Sequence, residues 1–325
     1  MRDIRIGAVQ FEHRNADQEY NLSRIEALAR QAVAAGAEVV SFHECSVSAY
    51  SFVQPLSQAA LLDVAEPVPD GPSTQQLIQI AARTGVPILA GLFERDGQRV
   101  FNTYVCATAE GLLARHRKLH AFVNPHLDSG DQFTVFDLLG CRCGILTCYD
   151  NNLVENVRMT ALCGAEIVFM PHVTGCLPSV MPGRGVVDPE LWRHRDRDPV
   201  RLRQEFRGPK GREWLMRWLP ARAYENGVYA VFTNPIGMDD DQVRNGNAMI
   251  LDPFGDVICE CDALDDDFTV GLCTADKRQQ ASGRRYLRAR RPELYGKLVE
   301  PQDAPPVTEP GWKLRSETDN DTASH

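Results

Sequence analysis

Apolar and polar positions along the chain follow two periods in turn, one typical of β-strands and one typical of helices. Side chains at residues 4–11 alternate as those of a strand do, and apolar side chains then recur at helical spacing over residues 22–33. The same order of strand and helix returns at residues 38–42 and 73–85, and again at residues 141–148 and 154–163. Strands that alternate with helices predict a layered α/β fold.

The other periodic stretches add strands and one more helix to this prediction. Residues 101–117 alternate as a hairpin that turns at Glu110 and Gly111. Residues 73–76 have the order of a capping box, which predicts the start of the helix over 73–85. We also predict strands at 86–93, 167–170 and 228–233, a helix at 214–226, and two strands on either side of residues 252–255.

Two segments lack such periodicity. Residues 175–210 are rich in Arg, Pro and Asp, and an aperiodic stretch of this length predicts a functional loop such as a lid or a pocket wall. Residues after about 301 are rich in Pro, Ser, Thr and Asp and predict a disordered tail. We therefore divide the chain into one domain of residues 1–300, with a long inserted segment at about 175–210, and a tail of residues 301–325.

Composition narrows the class of function. The 325 residues are 43% hydrophobic and 24% charged, as in an ordinary globular protein, and no apolar run approaches the roughly 20 residues that cross a bilayer. A net charge of −9 argues against nucleic acid and anionic membranes as partners and favours a small-molecule substrate. The first residues lead directly into a strand pattern without the features of a signal peptide, so we expect a cytoplasmic protein whose ten cysteines are reduced.

Cys148 is the first candidate for chemistry. It stands where the strand over 141–148 ends, a few residues before a helix, so its thiol would face backbone N–H groups and the positive end of a helix dipole. Both features favour a thiolate. The competing interpretation, which position alone favours, is that Cys148 is one of ten small buried side chains.

Glu44 and Lys118 are candidates on two other segments. Glu44 follows the strand at 38–42, and ligand sites in parallel sheets lie beyond the carboxyl ends of the strands, where a carboxylate is well placed to act as a base. Lys118 lies in the basic run 115–120, where an ammonium group would stabilise negative charge that develops on a substrate oxygen. Taken singly, a solvated charge is the simpler interpretation of either residue.

Together, Glu44, Lys118 and Cys148 resemble, in this order, the catalytic residues of the nitrilase superfamily of carbon-nitrogen hydrolases. The resemblance extends from about residue 8 to residue 295. The stretches that carry it are 36–40 (GAEVV), 117–120 (RKLH), 148–150 (CYD) with Glu155 and Arg158, 164–168 (GAEIV), 222–227 (RAYENG) and 251–255 (LDPFG). No single stretch decides the matter, but their joint presence in one order is highly specific.

The resemblance implies an α/β fold of the four-layer αββα sandwich type, a homodimer or higher homo-oligomer that forms through the sandwich faces, and a Glu-Lys-Cys triad without metal or organic cofactor. Under this resemblance Glu44 is the general base for Cys148, and Lys118 and the backbone N–H of Tyr149 hold the oxyanion. Cys148 attacks a carbonyl carbon, ammonia or an amine leaves, and Glu44 then activates the water that hydrolyses the thioester.

Three positions depart from the pattern of the family. His43 stands before the base, where a proline is usual, and Val154 stands where members often have a proline. Residues 122–128 offer no second glutamate between the lysine and the cysteine, which leaves Asn124 or His126 as the candidate for its orienting role. Further candidates for orienting the triad or binding substrate are Glu155, His172, Arg184 and Arg193.

The residues after the nucleophile narrow the substrate class. Nitrilases commonly continue with Trp-Glu, whereas amidases and N-carbamoyl hydrolases of the superfamily often have the Tyr-Asp that is found at 149–150. We therefore expect an amide or N-carbamoyl substrate, with a nitrile as the alternative. The arginines of residues 175–210 suggest an anionic substrate, because a guanidinium group pairs with a carboxylate, although each arginine taken alone is a solvated charge.

Two other classes of function compete with this one. In a metal or redox protein, His116 and His120 would share a helix face and the Cys-x-Cys pairs at 141/143 and 259/261 would bind a metal, but strand patterns explain both pairs. A catalytically inactive binding member of the same fold is the other alternative, and the presence of all three triad residues argues against it.

Overall fold

The computed structural model describes residues 1–301, which contain fifteen strands. The predicted tail at 301–325 lies outside the described residues except for Pro301. The strands are β1 (Ile4–Gln10), β2 (Val39–Ser41), β3 (Ile88–Asp96), β4 (Arg99–Thr108), β5 (Gly111–Arg117), β6 (Leu127–Asp128), β7 (Thr134–Leu138), β8 (Cys141–Ile145), β9 (Ile167–Pro171), β10 (Tyr229–Thr233), β11 (Ile236–Asp239), β12 (Gln242–Asn245), β13 (Met249–Leu251), β14 (Val257–Glu260) and β15 (Asp267–Cys273).

Ten α-helices and four short 3-10 helices occur in the same part of the chain. The α-helices are α1 (Gln18–Ala34), α2 (Gln58–Val64), α3 (Pro72–Thr84), α4 (Val154–Leu162), α5 (Pro189–Arg193), α6 (Pro199–Arg207), α7 (Arg212–Leu215), α8 (Leu219–Asn226), α9 (Ala275–Gln280) and α10 (Ser282–Arg288). The 3-10 helices are Ser51–Val53, Cys148–Asn151, Pro292–Leu294 and Gly296–Val299. No helix of residues 1–301 combines the length and the apolar character that a bilayer span requires.

The strands form two large sheets and one separate hairpin. The first sheet has the order β15-β1-β2-β3-β4-β5, with β6 paired to β4, and its strands β1, β2 and β3 run parallel. The second sheet has the order β14-β13-β10-β9-β8-β7, and its strands β8, β9 and β10 run parallel. Strands β11 and β12 pair only with each other in an antiparallel hairpin.

One apolar layer fills the space between the two sheets, and two more lie outside them. Ile6 and Tyr104 from the first sheet meet Cys143, Phe169 and Val231 from the second sheet in the inner layer. Helices α1 and α3 bury their apolar faces on the outside of the first sheet, and α4 and α8 do so on the second. This arrangement is the predicted αββα sandwich.

Two details of the predicted helices are wrong, the capping box at 73–76 and the continuity of the helix at 214–226. At the start of α3, Pro72 is the first residue, and Glu66 instead of a capping box accepts hydrogen bonds from the N–H and the hydroxyl of Ser73, each at 2.7 Å. The helix predicted at 214–226 is interrupted between α7 and α8. Pro220 lies in the first turn of α8, because a proline without an N–H is tolerated there and not in a helix interior.

The segment at 175–210, predicted as an aperiodic loop, contains helices α5 and α6. Each begins with an aspartate cap followed by a proline, Asp188 with Pro189 and Asp198 with Pro199. Helices of five and nine residues are too short for apolar periodicity to show in the sequence. Together with the hairpin β11–β12 they bury a small core of their own, formed by Cys176, Val187, Trp192, Leu202, Phe206, Ile236 and Val243.

Candidate active site

The carboxylate of Glu44 is the centre of a polar cluster beyond the carboxyl end of β2. Its Oε1 accepts hydrogen bonds from Nζ of Lys118 and from Nδ2 of Asn102, each at 2.7 Å. Its Oε2 accepts the backbone N–H of Val173 at 3.0 Å. The side chain is fully buried, and a buried carboxylate is costly unless it is paired and hydrogen-bonded. The three donors therefore hold Glu44 in one orientation.

A sharp turn after β2 places Glu44 in this position. The backbone of Cys45 has a φ of +47°, and the turn packs against Gly91 of β3, where a Cβ atom would overlap the backbone nitrogen of Cys45. The N–H of Val47 donates to the carbonyl of Gly91 at 2.9 Å, and the N–H of Gly91 donates to Oγ of Ser46 at 3.2 Å. Only glycine at 91 allows this close approach.

Lys118 follows β5, and its ammonium group is buried beside Glu44. Nζ lies 5.0 Å from the centre of the Phe122 ring and 5.4 Å from that of the Tyr50 ring. Burial alone would lower the pKa of Lys118, but the attraction of Glu44, with smaller contributions from Tyr50 and Cys148, raises it well above its usual value. Lys118 is therefore a cation at neutral pH.

Cys148 begins a 3-10 turn shortly after β8. Its φ is +50°, and the side chains of Thr147 and Asp150 form a capping box around the turn. Its Sγ lies 3.9 Å from the carbonyl oxygen of Val173, to which the thiol donates, and 8% of the residue is exposed. Val173 follows β9, so the parallel strands of the second sheet bring Cys148 to the same edge as Glu44.

The surroundings of Cys148 favour the neutral thiol. Burial, followed by the negative charge of Glu44, raises its pKa to about 12, while Lys118 opposes the shift. The surroundings therefore favour a neutral resting thiol over the expected thiolate, because the loss of solvation outweighs the help from the turn. A thiol of this kind needs a base before it can attack, and Glu44 is the carboxylate whose charge acts on it.

Asp150 ties the turn of Cys148 to the loop that carries Lys118. Its carboxylate accepts the backbone N–H groups of Leu119 and His120 at 3.1 and 3.0 Å, and Nδ1 of His120 at 2.9 Å. Nε2 of His116 lies 3.5 Å away. Burial by itself would raise the pKa of Asp150, but these histidine hydrogen bonds outweigh burial and hold it well below its usual range. The ionised carboxylate thus holds the loop after Lys118 against the turn that Cys148 begins.

The backbone N–H of Tyr149 lies at the start of the 3-10 turn, where N–H groups lack partners inside the turn. Within residues 1–301 it has no hydrogen bond to any group outside the turn either. The Tyr149 ring packs edge-on against Phe122 at 5.3 Å. This N–H next to Cys148 is therefore available to a ligand.

The structure does not bring Asn124 or His126 to the triad. Nδ2 of Asn124 donates to the carbonyls of Val53 and Leu56 at 2.8 and 2.9 Å, and its Oδ1 accepts the backbone N–H of His126. The His126 residue is exposed. Asn124 therefore braces the loop against the segment around the 3-10 helix Ser51–Val53, and the expected orienting contact on the triad is absent for both residues in the described chain.

Glu155 and His172 have different surroundings. Glu155 is exposed in the first turn of α4. His172 is buried next to Val173; its Nδ1 donates to the carbonyl of Met170 at 2.9 Å, and its ring packs on Phe232 at 4.7 Å. Burial lowers the pKa of His172 to about 3, so the ring is neutral. His172 is a wall of the site, and Glu155 lies on the outer surface.

The two candidate arginines, Arg184 and Arg193, also differ in exposure and in contacts. Arg193 is exposed on α5 and pairs with Glu190. Arg184 is half-buried, and its guanidinium lies 3.8 Å from the centre of the Trp214 ring, where burial lowers its pKa. Other arginines of the segment and its neighbourhood pair with acidic side chains, namely Arg203 and Arg207 with Asp262, and Arg207 and Arg212 with Glu260.

Sequence reasoning missed three residues of the site. Asn102 donates to Glu44 from β4, and its only signal is an amide within a mostly apolar strand. Val173 contributes backbone groups alone, so its side chain carries no signal. Tyr50 is buried beside the cation, and burial raises the pKa of its hydroxyl well above the usual value.

The geometry does not favour a metal site. His116 is on β5 and His120 on the loop after it, so the helix face expected for this pair is wrong, and both rings contact Asp150. Cys141 and Cys143 lie on β8 in the layer between the sheets. Within residues 1–301 no group of three or more His, Cys, Asp or Glu is arranged to hold a metal ion.

The fold is an αββα sandwich, and Glu44, Lys118 and Cys148 lie together at one edge of it. A family model described as carbon-nitrogen hydrolase matches residues 5–282. The chain belongs to this family, and it acts on carbon–nitrogen bonds other than peptide bonds.

Relatives match nearly the whole chain. An (R)-stereoselective amidase from Pseudomonas sp is 32% identical over 307 residues, which are 92% of this chain and 96% of that protein. A nitrilase from Pyrococcus abyssi is 26% identical and covers 84% of this chain and 90% of its own length. Among solved structures, a double mutant of the amidase from Nesterenkonia sp. AN1 in complex with acrylamide has a TM-score of 0.68 at 22% identity, covering 91% of this chain and 97% of that one.

Proposed function

We propose that this protein hydrolyses an amide or N-carbamoyl bond of a small molecule through a thioester on Cys148, with release of ammonia or an amine. The observation that carries the proposal is the convergence of a buried carboxylate, a buried cation and a buried thiol at one edge of the sandwich. A solved form of the Nesterenkonia amidase carries the acetamide moiety of fluoroacetamide on its active-site cysteine, which supports a cysteine nucleophile.

Acylation begins with the neutral thiol. Glu44 takes the proton of Cys148 as sulfur attacks the carbonyl carbon, so the cost of ionising a thiol with a pKa near 12 is met within the attack itself. The carbonyl oxygen becomes an oxyanion between Nζ of Lys118 and the N–H of Tyr149. Glu44 then gives its proton to the departing nitrogen, the carbon–nitrogen bond breaks, and a thioester remains.

Deacylation reuses the same base. Glu44 takes a proton from a water molecule, and the resulting hydroxide attacks the thioester carbonyl, whose oxyanion again lies between Lys118 and Tyr149. The carbon–sulfur bond breaks, the acid product forms, and the proton returns to Cys148. The donors from Asn102 and Val173 keep Glu44 in place through both half-reactions.

Several observations rank the substrates. Relatives named amidase and omega-amidase support an amide, the Tyr-Asp after the nucleophile supports an amide or N-carbamoyl bond, and the relative named nitrilase keeps a nitrile as the alternative. Of the two candidate arginines, Arg184 is half-buried on an aromatic ring and Arg193 is paired at the surface. Arg184 is therefore our candidate for an anionic group of the substrate.

A screen of amides, N-carbamoyl amino acids and nitriles for ammonia release, run beside Cys148→Ala, tests the proposal. We expect turnover of at least one amide or N-carbamoyl compound, and an acyl adduct on Cys148 by intact-mass measurement. Cys148→Ala should keep the fold and lose turnover by about 10⁶-fold, because no other group replaces the nucleophile. Activity that survives in this variant would sink the mechanism.

We also propose a homodimer or a higher homo-oligomer that forms through the helical layer of the second sheet. Val154, Met159 and Leu162 of α4 are exposed by 37–45%, and Tyr295 and Leu298 extend the same apolar surface. Light scattering on the eluting protein should give a multiple of the chain mass, and Met159→Lys should reduce it. Three expectations from the sequence stay predictions. They are the cytoplasmic location, the lack of nucleic-acid and membrane partners, and the division into residues 1–300 and a tail.

A further inference from the structure

A second buried polar cluster adjoins Glu44, and the mechanism above does not use it. Nδ1 of His13 lies 2.9 Å from Nε2 of His43, and Nε2 of His13 lies 3.0 Å from Oδ1 of Asp239. His13 is on the loop after β1, His43 immediately precedes Glu44, and Asp239 ends β11. All three side chains are buried. We call His13, His43 and Asp239 the histidine chain.

The contacts assign one direction to the protons of the histidine chain. Burial alone would raise the pKa of Asp239, but Arg244 and the hydrogen bond from His13 outweigh it and lower the pKa, so Asp239 is ionised. With a single proton on its ring, His13 donates Nε2–H to Asp239 and accepts Nε2–H of His43 at Nδ1. Burial lowers the pKa of His43 well below its usual value, so this ring is neutral. The carboxylate thereby sets the tautomer of both rings.

Asp239 is also linked, through Arg244, to the loop that follows β9 and contains Val173. Its Oδ2 accepts Nε of Arg244 at 2.9 Å, and Nη1 of Arg244 donates to the carbonyl of Gly175 at 3.5 Å. Gly175 is two residues beyond Val173, whose N–H holds Oε2 of Glu44. The hairpin β11–β12 is therefore connected to Glu44 by two routes. Asp239 contacts His13, which contacts His43, and Arg244 contacts Gly175 in the loop of Val173.

We propose that Asp239 and His13 are positioning residues for Glu44, which fix the ring of His43 and thereby the carboxylate that follows it in the chain. This inference rests on the proposed role of Glu44 as the base. None of the three residues of the histidine chain takes part in the reaction steps, so each acts through Glu44. Replacing a buried ionic network with apolar side chains of similar volume is often neutral or stabilising, so such a network is weak evidence for a role in stability alone.

Substitutions at His43 and His13 in the full-length enzyme test the proposal. His43→Leu and His13→Leu should each lower kcat about 10- to 100-fold and change KM by less than about twofold, because a displaced base slows proton transfer and leaves binding intact. Alkylation of Cys148 by iodoacetamide should slow with them. His43→Gln, which keeps an N–H near the position of Nε2, should restore kcat to within about threefold. Normal kcat in both leucine variants, or an equal loss in His43→Gln, would overturn the proposal.

Two further measurements separate positioning from structure. Tyr229→Phe is the control. It removes a buried hydroxyl at the first residue of β10, which donates to the carbonyl of Thr274 at 3.0 Å, and it should leave kcat unchanged. Nitrogen NMR of the wild-type rings should show protons on Nε2 and none on Nδ1 in both His13 and His43, and this readout needs no variant to fold. A proton on Nδ1 of His43 would contradict the proposed direction.

The two proposals fail in different ways. If Glu44→Gln retained full activity, the proposed function would fail, and the positioning role would fail with it. If Glu44→Gln were inactive while both leucine variants were normal, the proposed function would stand and only the positioning role would fail.

Discussion

Two charged regions of this molecule use charge in opposite ways. At the edge of the sandwich where Glu44, Lys118 and Cys148 lie, the charged groups of Glu44 and Lys118 are buried. Both carboxylate oxygens of Glu44 accept hydrogen bonds from specific donors. In the segment at 175–210, which we call the arginine-rich segment, Arg193, Arg203 and Arg207 have side chains that are 41–55% exposed. They pair with acidic side chains at the surface. The first region holds few charges in fixed positions, and the second holds many in solvent.

The difference shows which charges are informative. An exposed ion pair contributes about 0–1 kcal/mol to stability, so a protein can gain or lose such pairs at little cost. A buried charge that loses its partner costs about 3–5 kcal/mol, so it persists only where the whole surrounding supports it. Burial with convergent donors is therefore a better sign of chemistry than the number of charges in a segment.

Among substitutions of the charged residues, the largest effect should come from Glu44→Gln. We expect acylation and deacylation to slow about 10²- to 10⁴-fold, because one carboxylate moves the proton in both half-reactions. Single-turnover kinetics with mass detection of the acyl adduct separates the two steps. Glu190→Gln, a carboxylate of the arginine-rich segment, is the matched control and should leave both rates unchanged. A defect confined to KM would contradict the role of Glu44 as base.

An intermediate effect should follow from Asp150→Asn, which removes the charge that holds the loop after Lys118 against the turn that Cys148 begins. The variant should lose about 1–3 kcal/mol of unfolding free energy at pH 7, since it leaves buried donors without a full acceptor. The exposed pair of Asp137 and Arg142 provides the control, and Asp137→Asn should change stability by less than about 1 kcal/mol. Urea unfolding measures both, and equal losses would remove the distinction between buried and exposed charge.

The same carboxylate sets a pH dependence. Because the pKa of folded Asp150 lies below the ordinary value near 3.8, its contribution is complete above that value and is lost as the pH falls through the folded pKa. Stability of the wild type should therefore decline below about pH 4, and Asp150→Asn should flatten that decline. A parallel decline in both proteins would show that other groups control acid unfolding.

The smallest effect should distinguish the two arginines. If Arg184 contacts an anionic group, Arg184→Gln should raise KM for acidic amides about tenfold and change KM for neutral amides by less than about twofold. Arg193→Gln should change neither, because Arg193 is exposed and paired with Glu190. Steady-state kinetics on a matched acidic and neutral amide decides between them. If the two variants had the same KM for the acidic amide, Arg184 would not be a contact for an anionic substrate group.

Glu44, Lys118 and Cys148 could be singled out from the sequence because they and the stretches around them resemble the nitrilase superfamily in one order, whereas each residue alone had a simpler explanation. The structure brings Glu44 and Lys118 into contact. Asn102 could not be predicted in the same way, since its contact depends on the pairing of β4 with β3. Asp150 was visible as part of Tyr-Asp, but its contacts with the loop of Lys118 join residues about thirty positions apart. Local pattern predicts where a strand ends and not which distant loop lies there.

The layered fold was predictable from local pattern, since long periodic stretches such as α1 and β4 dominate that pattern. The segment at 175–210 was not, because α5 and α6 are short and their apolar residues Trp192, Leu202 and Phe206 face a hairpin that lies further along the chain. The pKa of Cys148 was also unpredictable, since it depends on burial by residues from both sheets.

Val173 has a consequence for mutational scanning. A single peptide backbone donates its N–H to the base and offers its carbonyl to the nucleophile, so its side chain carries none of this information. Replacing Val173 with alanine would leave both contacts intact, so a scan would record only the loss of a buried apolar side chain. Inserting or deleting one residue between β9 and Val173 would instead shift both contacts at once. The two hydrogen bonds at 173 thus depend on how many residues precede it and not on which side chain it carries.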